Sequence, residues 1–220
     1  MPKQTFFNLP PDKRQLIIEI AIEEFAENDY ENASISRIVA SAQIAKGSFY
    51  QYFENKEALY RYLLDLGLQQ KAQFLDTASP DPEMDMFAYL RWLAQAGVRF
   101  ELTNPKLSQI GYRAVRSDTL PDSFRQQARQ GAQAFFAQLV AQGKRQGDIA
   151  VDIDEDLAAF IFNVIFTELG AYMLQRLTVK ESPEPAGGRS LFDSPEARAI
   201  FDQALRILES GMRRQQKEIS

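Results

Sequence analysis

The chain has 220 residues, of which 45 % are hydrophobic, and it carries a net charge of −5 with neither cysteine nor histidine. Without cysteine it forms no disulfide and no thiolate metal site. Without histidine it lacks the usual general base and the commonest transition-metal ligand, which argues against most hydrolases and metalloenzymes. We expect no catalytic residues, no metal site and no cofactor. The length allows one or two domains with a sizeable core.

The N-terminal residues lack the basic, apolar and small-residue layout of a secretory signal, so we expect a cytoplasmic protein. Residues 157–174 approach the length of a membrane span, but they include Asn163, Thr167 and Glu168. Such polar residues favour a buried helix over a span, and we expect no membrane contact.

Helical periodicity runs through nearly the whole sequence, and no alternating segment is long enough to build a sheet, which predicts an all-α protein of about nine helices. The first helix begins after Pro10 and Pro11, where proline is tolerated. It ends near Asn28 and Asp29, which both tolerate a left-handed backbone.

Residues 34–56 are predicted to form two short helices separated by a tight turn. Ile38 and Val39 share one face of the first helix, Phe49 and Phe53 share one face of the second, and Ile44 fills the turn. The remaining side chains are small, polar or aromatic and suit phosphates and base edges. They are Ser34, Ser36, Arg37, Lys46, Gly47, Ser48, Tyr50, Gln51 and Tyr52. This layout is typical of a helix-turn-helix that reads DNA.

The negative net charge does not exclude DNA binding, because the distribution of charge matters more than its sum. Residues 10–32 carry seven acids against Lys13 and Arg14, whereas residues 33–56 carry Arg37, Lys46 and Lys56 against one acid, Glu54. The segment with the helix-turn-helix pattern is therefore a small basic island of charge +2.

Four further helices are predicted after this segment. One starts after the N-cap Asn55 and runs to about residue 76, and another lies between Pro82 and Asn104. A short helix follows from residue 105 to about 116. A long one from residue 121 to 146 is ended by Gly147.

The eighth predicted helix, residues 154–177, is apolar nearly all round, and a loop rich in proline and glycine follows it at residues 179–195. The ninth begins at Ser194 and Pro195 and carries one clean apolar stripe. Such a pair of helices predicts packing against a partner subunit. The candidate interface residues are Leu157, Ile161, Val164, Phe201, Leu205 and Leu208.

Residues 10–65 resemble the DNA-binding region of the TetR family of bacterial transcriptional regulators. The resemblance rests on Ile17, Ala21, Phe25 and Tyr30, on residues 34–42, on the continuous run 44–53 and on residues 55–59. It implies a helix-turn-helix DNA-binding domain at residues 1–56 and a helical ligand-binding and dimerisation domain at residues 57–220.

The resemblance also implies individual roles. Phosphate contacts would come from Ser34, Tyr50, Tyr52 and Lys56, base contacts from Lys46, Gly47, Ser48 and Gln51, and contacts at the groove entrance from Ser36 and Arg37. Alternatively, the two tyrosines are half-buried aromatic residues and the basic side chains are ordinary solvated charges. The Ser34 hydroxyl would cap its helix in either case.

The turn departs from the family pattern at Gln43, where members usually carry glycine with a left-handed backbone. A non-glycine residue in that conformation costs about 1–2 kcal/mol. We therefore expect a strained or differently shaped turn.

An effector cavity in the larger domain is also implied by the resemblance, and aromatic walls would suit an apolar or planar ligand. The candidates are Tyr60, Phe87, Trp92, Tyr112, Phe135, Phe166 and Glu168. Alternatively, the aromatic residues are ordinary core. The Glu168 carboxylate, on an apolar helix, would then be paired with an arginine.

The sequence thus predicts a homodimeric repressor that binds a near-palindromic double-stranded operator and is released by a small-molecule effector of unknown identity. The alternative is an all-α ligand carrier or protein-interaction module with a degenerate DNA-binding head. The acidic residues 10–32 favour that alternative weakly. An enzyme has little support, because no nucleophile and base stand out.

Overall fold

A computed structural model of the protein describes residues 1–78, 80–81, 83–116, 122–178 and 194–213. Within these ranges the backbone forms ten helices and no strand, which confirms the all-α prediction. The helices are α1 (Gln4–Phe7), α2 (Pro11–Glu27), α3 (Ile35–Ser41), α4 (Lys46–Tyr52), α5 (Lys56–Ala78), α6 (Met86–Thr103), α7 (Pro105–Arg116), α8 (Asp122–Gln146), α9 (Glu155–Thr178) and α10 (Pro195–Met212). The helix that the sequence did not predict is the four-residue α1.

Several predicted helix ends are confirmed by their caps. The Asn55 side chain accepts a hydrogen bond from the N–H of Ala58 at 2.8 Å, and the Ser194 hydroxyl accepts one from Ala197 at 3.1 Å. Helix α2 also ends where the sequence predicts, with Asn28 as its C-cap, although Asn28 is extended with φ −120° and not left-handed. Nearly all of the predicted loop 179–195 lies outside the described residues.

The chain divides into two compact units. The first comprises residues 1–77 and 103–121, and the second comprises residues 78–102 and 122–220. Helix α5 thus belongs almost wholly to the unit that holds the helix-turn-helix. This grouping describes packing, and the division into domains 1–56 and 57–220 stays a prediction.

In the first unit, α7 packs against α2 through a charged contact and against α5 through a buried one. Lys106 forms an ion pair with Glu23 at 2.5 Å, and the Tyr60 hydroxyl donates to the carbonyl of Ile110 at 3.4 Å. Burial raises the pKa of Tyr60 to about 12, so its hydroxyl stays protonated and able to donate.

In the second unit, helices α6, α8, α9 and α10 enclose one apolar core. Phe87, Phe136, Phe162 and Leu205 are buried in it, and the rings of Phe136 and Phe162 stack with their centroids 6.1 Å apart. At one end of this core, Arg213 donates to Asp85 at 2.8 Å, which ties the end of α10 to the start of α6.

Helix α8 ends in a Schellman turn. The N–H of Gly147 donates to the carbonyl of Lys144 at 3.2 Å, and the N–H of Asp148 donates to Gly143 at 2.8 Å. Gly147 has a φ of +85°, a conformation that glycine adopts without steric cost.

Helix α3 ends in the same kind of turn, but without glycine. The N–H of Gln43 donates to Ala40 at 3.1 Å, and the N–H of Ile44 donates to Val39 at 3.0 Å. Gln43 has a φ of +52°, the only positive value at a non-glycine residue in the described ranges. The strained turn that the sequence predicts is therefore confirmed.

Replacing Gln43 with glycine is expected to stabilise the protein. Relief of about 1–2 kcal/mol of strain exceeds the entropic cost of glycine of about 0.5–1 kcal/mol. The free energy of unfolding in urea should rise by roughly 0.5–1 kcal/mol. Gln43→Ala keeps the strained Cβ and should give no gain. Equal stability of the two variants would contradict this account.

Candidate nucleic-acid interface

Helix α4 is anchored by its aromatic side. Phe49 and Phe53 are fully buried with their rings stacked 5.6 Å apart, and Ile38 of α3 is buried in the same unit. Burial of each phenylalanine contributes about 1.5–3 kcal/mol relative to an exposed position. Because this side faces inward, the opposite side of α4 must face solvent.

The outer side of α4 carries four of the predicted DNA contacts. Lys46, Gly47, Tyr50 and Gln51 are all exposed, and their spacing places them on adjoining rows of one helix face. Among the described residues, none forms a hydrogen bond or ion pair with the Lys46 ammonium. This face therefore offers an unengaged cation, a phenol and an amide to a ligand.

The first residues of the motif are held to α2. The Ser34 hydroxyl accepts a hydrogen bond from the N–H of Arg37 at 3.4 Å, which confirms its role as helix cap. The N–H of Ser34 donates to the Glu24 carboxylate at 2.8 Å. Ser36 on α3 is exposed, whereas Ser48 on α4 is half-buried.

Arg37 is engaged within the protein. Its Nε donates to both carboxylate oxygens of Glu24 at 3.0 Å, and its Nη2 donates to the carbonyl of Asn32 at 2.7 Å. A planar guanidinium held in this fork has a fixed direction. The alternative that Arg37 is an ordinary solvated charge is therefore wrong, whereas its contact with DNA at the groove entrance stays a prediction.

Lys56 is engaged as well. Its Nζ donates to the carbonyls of Glu31 and Ala33, each at 3.0 Å, and lies 4.7 Å from the centroid of the Tyr30 ring. Burial lowers the pKa of the Lys56 ammonium, although the carboxylates of Glu31 and Glu24 act in the opposite direction. Lys56 thus supplies donors that hold the loop between α2 and α3, and its contact with a phosphate stays a prediction.

Tyr52 lies on the inner side of α4. It is only 8 % exposed, and the centroid of its ring is 6.1 Å from that of Phe6 in α1. The prediction that Tyr52 faces outward is wrong, because α1 covers it. The sequence signal that was missed is the apolar pair Phe6 and Phe7, just before Pro10.

Sequence reasoning also missed Glu24, which joins α2 to α3. Burial alone would raise the pKa of this carboxyl. The hydrogen bonds from Arg37 and the Ser34 N–H, together with the charges of Arg37 and Lys56, outweigh burial, so the pKa of Glu24 is lowered. No pattern marks Glu24 in the sequence, because six other acids lie between residues 10 and 32.

Most of the residues predicted to contact the effector are packed against other side chains of the protein. Tyr60 and Phe87 are buried in the cores of the first and second unit, and Phe166 stacks on that second core. Trp92 is half-buried against Tyr89, with ring centroids 5.7 Å apart. The side chain of Tyr112 lies outside the described residues.

A cavity of about 320 Å³ opens in the second unit beside α6 and α8. Of the predicted effector contacts in the described part of the chain, Phe135 is the one that lines it. Its walls are formed by Pro80, Asp81, Met84, Met86, Tyr89, Phe135, Gln138, Leu139, Gln142 and Gln146. Methionine, aromatic and glutamine side chains thus share one concave surface.

Four of the predicted interface residues contribute to the core of their own chain. Leu205 and Leu208 are buried in the second unit, and Phe201 packs partly against it. The apolar stripe of α10 is thereby used within the chain. The expectation that Leu205 and Leu208 face a partner is wrong, and Ile161 likewise packs partly against this core.

Helix α9 leaves one apolar face uncovered. Leu157, Phe160, Val164 and Tyr172 are exposed along it, and so is Glu168. The Glu168 carboxylate is thus not enclosed by apolar side chains, which removes the reason for assigning it to an effector cavity. No described helix is long and apolar enough to cross a membrane.

Glu24→Gln is expected to lower the free energy of unfolding by about 1–2 kcal/mol at pH 7, because it breaks a charged hydrogen-bond cluster. Glu23→Gln is the matched control. Both glutamates form 2.5 Å ion pairs, but the Glu24 side chain is 10 % exposed and that of Glu23 is 55 % exposed. The control should lose about 0.5 kcal/mol or less.

This effect has a defined pH dependence. Folding lowers the pKa of Glu24, so the stability it contributes is present above the ordinary value of 4.5 and is lost as the pH falls through the lowered pKa. In urea unfolding, the difference between wild type and Glu24→Gln should shrink as the pH falls from 7 to about 3. A difference that stays constant or grows would contradict the assignment.

Two family models match the chain. One describes the tetracyclin repressor-like C-terminal domain and matches residues 84–213, and the other describes bacterial regulatory proteins of the tetR family and matches residues 17–63. The second match contains the whole helix-turn-helix. Together the two models match residues in both of the domains that the sequence predicts.

Known proteins of similar sequence agree. A crystal structure of a TetR family transcriptional regulator from Chloroflexus aurantiacus is 47 % identical, covers 98 % of this chain and 100 % of that one, and superposes with a TM-score of 0.71. The transcriptional regulator AcuR of Cereibacter sphaeroides is 28 % identical over 77 % of this chain and 78 % of its own length. The HTH-type transcriptional repressor DhaR of a Mycobacterium species is 27 % identical over 78 % and 85 %. The chain belongs to the TetR family and is a transcriptional regulator.

Proposed function

We propose that this regulator is a repressor that binds a near-palindromic operator as a homodimer and is released by a small apolar or aromatic ligand. The observation that supports the proposal is that α4 has one buried aromatic side and one exposed polar side. Phe49 and Phe53 anchor one side, while Lys46, Tyr50 and Gln51 stand exposed on the other. Because its operator is genomic DNA, we expect the protein to act in the cytoplasm.

The choice between repression and activation is inferred from a relative. DhaR is described as a transcriptional repressor, and the alignment spans most of both chains. Repression also needs no contact with polymerase, since occupation of the operator is sufficient. We therefore assign repression to this chain.

In this proposal, Lys46, Gly47, Ser48 and Gln51 approach the bases, and the Tyr50 hydroxyl binds a phosphate. Nothing lies within 4 Å of the position that a Cβ on Gly47 would occupy. The protein itself would accept a side chain there, so the small residue leaves room for DNA. Ser34 and Ser36 supply further hydroxyl donors at the start of α3.

Lys46→Ala is expected to weaken operator binding about tenfold, because it removes the unengaged cation of α4. The operator is first selected from a random DNA pool with wild-type protein and then titrated at several salt concentrations. The dependence of log affinity on log salt should stay close to that of the wild type, because a base contact neutralises no phosphate.

Lys71→Ala is the matched control, since it removes the same charge from α5, away from the helix-turn-helix motif. Its operator affinity should stay near that of the wild type. If Lys46→Ala binds no worse than Lys71→Ala, the assignment of α4 as the DNA-contacting helix fails. If wild-type protein selects no sequence at all, the carrier alternative is favoured.

Dimerisation is proposed to use the exposed face of α9. A single head with one unengaged cation on α4 binds DNA weakly, whereas two linked heads gain affinity because the second binding step is intramolecular. Leu157, Phe160 and Val164 form an uncovered apolar row that a second copy would bury. The Ile161 side chain would contribute the part of its surface that its own core leaves free.

Val164→Arg is expected to raise the dimer dissociation constant by more than tenfold, because it would bury a charge in the interface. Leu68→Arg is the control, since Leu68 is also an exposed apolar residue but lies on α5. Sedimentation equilibrium measures both. The α9 interface is wrong if Val164→Arg associates as strongly as Leu68→Arg.

The effector is proposed to enter the cavity lined by Met84, Tyr89, Phe135 and Leu139. A volume of about 320 Å³ suits a small ligand, and its mixed walls suit a planar or apolar body with a polar group facing Gln138 or Gln142. The operator titration, repeated with apolar and aromatic metabolites, identifies a ligand that releases DNA. Retention of the operator with every such compound would contradict this part of the proposal.

A further inference from the structure

The C-terminal end of α4 needs partners for its backbone. In any α-helix, the last four carbonyls have no N–H partner within the helix. In α4 these are the carbonyls of residues 49–52, because the helix ends at Tyr52. The carbonyl of Phe49 accepts from the N–H of Phe53 at 2.8 Å. The other three have to be satisfied by some other part of the chain or by water.

Residues Lys3–Phe6, which we call the strap, supply these three partners. The Lys3 ammonium donates to the carbonyl of Tyr50 at 2.9 Å, and the Lys3 backbone N–H donates to the carbonyl of Tyr52 at 2.8 Å. The Thr5 hydroxyl donates to the carbonyl of Gln51. The strap therefore completes the hydrogen bonds of the last turn of α4.

The strap is fixed to the core by one side chain. Phe6 is fully buried, and its ring centroid lies 4.8 Å from that of Phe53 and 5.7 Å from that of Tyr62. Burial of this ring contributes about 1.5–3 kcal/mol. Since Phe6 is one residue from Thr5 and three from Lys3, this anchor holds both donors close to the end of α4.

Charge reinforces the arrangement. The C-terminal end of a helix carries a partial negative charge, and a cation placed there is stabilising. Lys3 places its ammonium at the last turn of α4, where no acid of the described residues pairs with it. The same side chain thus provides both a donor and a charge of the favourable sign.

We propose that the strap is a positioning element for operator recognition. It keeps the last turn of α4 closed, and this turn carries the side chains of Tyr50 and Gln51 that the proposed function places against DNA. The inference rests on that function. Without the strap, α4 would fray from its C-terminal end, and these two side chains would be less well oriented.

The first experiment needs no DNA. The variant Lys3→Met with Thr5→Val removes two of the three strap hydrogen bonds and keeps Phe6. The control, Lys13→Met with Thr77→Val, also removes one ammonium and one hydroxyl, but away from the strap. The Thr77 hydroxyl donates a hydrogen bond to the carbonyl of Gln73 at 2.8 Å. Hydrogen exchange of the backbone amides at residues 49–53 should accelerate about tenfold in the first variant and not in the control.

The second experiment measures operator recognition in the full-length protein. The strap variant should bind the selected operator about tenfold more weakly, with unchanged affinity for random DNA and an unchanged salt dependence. Lys3→Arg with Thr5→Ser retains both donors and should restore operator affinity. The control variant should bind like the wild type.

Two outcomes would overturn the proposal. Unchanged amide exchange and operator affinity would show that the strap does not hold α4. An equal loss for operator and random DNA, with a shallower salt dependence, would make Lys3 a direct phosphate contact instead. Should wild-type protein select no operator, the proposed function fails on its own, and the exchange data alone decide whether the strap holds α4.

Discussion

A helix of seven residues is not stable alone, and this constraint shapes the whole DNA-binding half of the protein. Helix α4 depends on the burial of Phe49 and Phe53 on one side. The turn at Gln43, whose backbone is left-handed, connects α3 to α4. Residues 3–6 provide hydrogen-bond donors to the last turn of α4. Because these contacts lie on the inner side or at the ends, the outer side is free to carry polar groups that contact DNA.

The basic residues of the motif serve two different purposes. Arg37 is paired with the Glu24 carboxylate, which offsets its charge, and Lys56 is held by loop carbonyls, so both stabilise the fold of the head. On α4, Lys46 is the cation left for DNA. The count of +2 for residues 33–56 therefore overstates the electrostatic attraction that one head can exert, and cooperation between two heads becomes more important.

Sequence reasoning succeeded where the signal is local. The helix caps at Asn55 and Ser194 and the strain at Gln43 depend on residues three or four positions apart, which a single sequence displays. It failed where partners are distant in the chain: Arg37 and Glu24 are 13 residues apart, and Lys3 and Tyr50 are 47 apart. For α10 the apolar stripe was evident, but periodicity does not say whether Leu205 meets its own chain or a second one.

The acidity of residues 10–32 has a structural reason that the sequence did not suggest. Glu24 binds Arg37 of α3, Glu23 binds Lys106 of α7, and Asp29 lies 3.3 Å from a guanidinium nitrogen of Arg113. Three of the seven acids of residues 10–32 thus face cations of two neighbouring helices. Negative charge in this segment had favoured a degenerate head that does not bind DNA. Since these acids are neutralised by internal partners, they oppose DNA less than their number implies, and the argument for a degenerate head loses its main support.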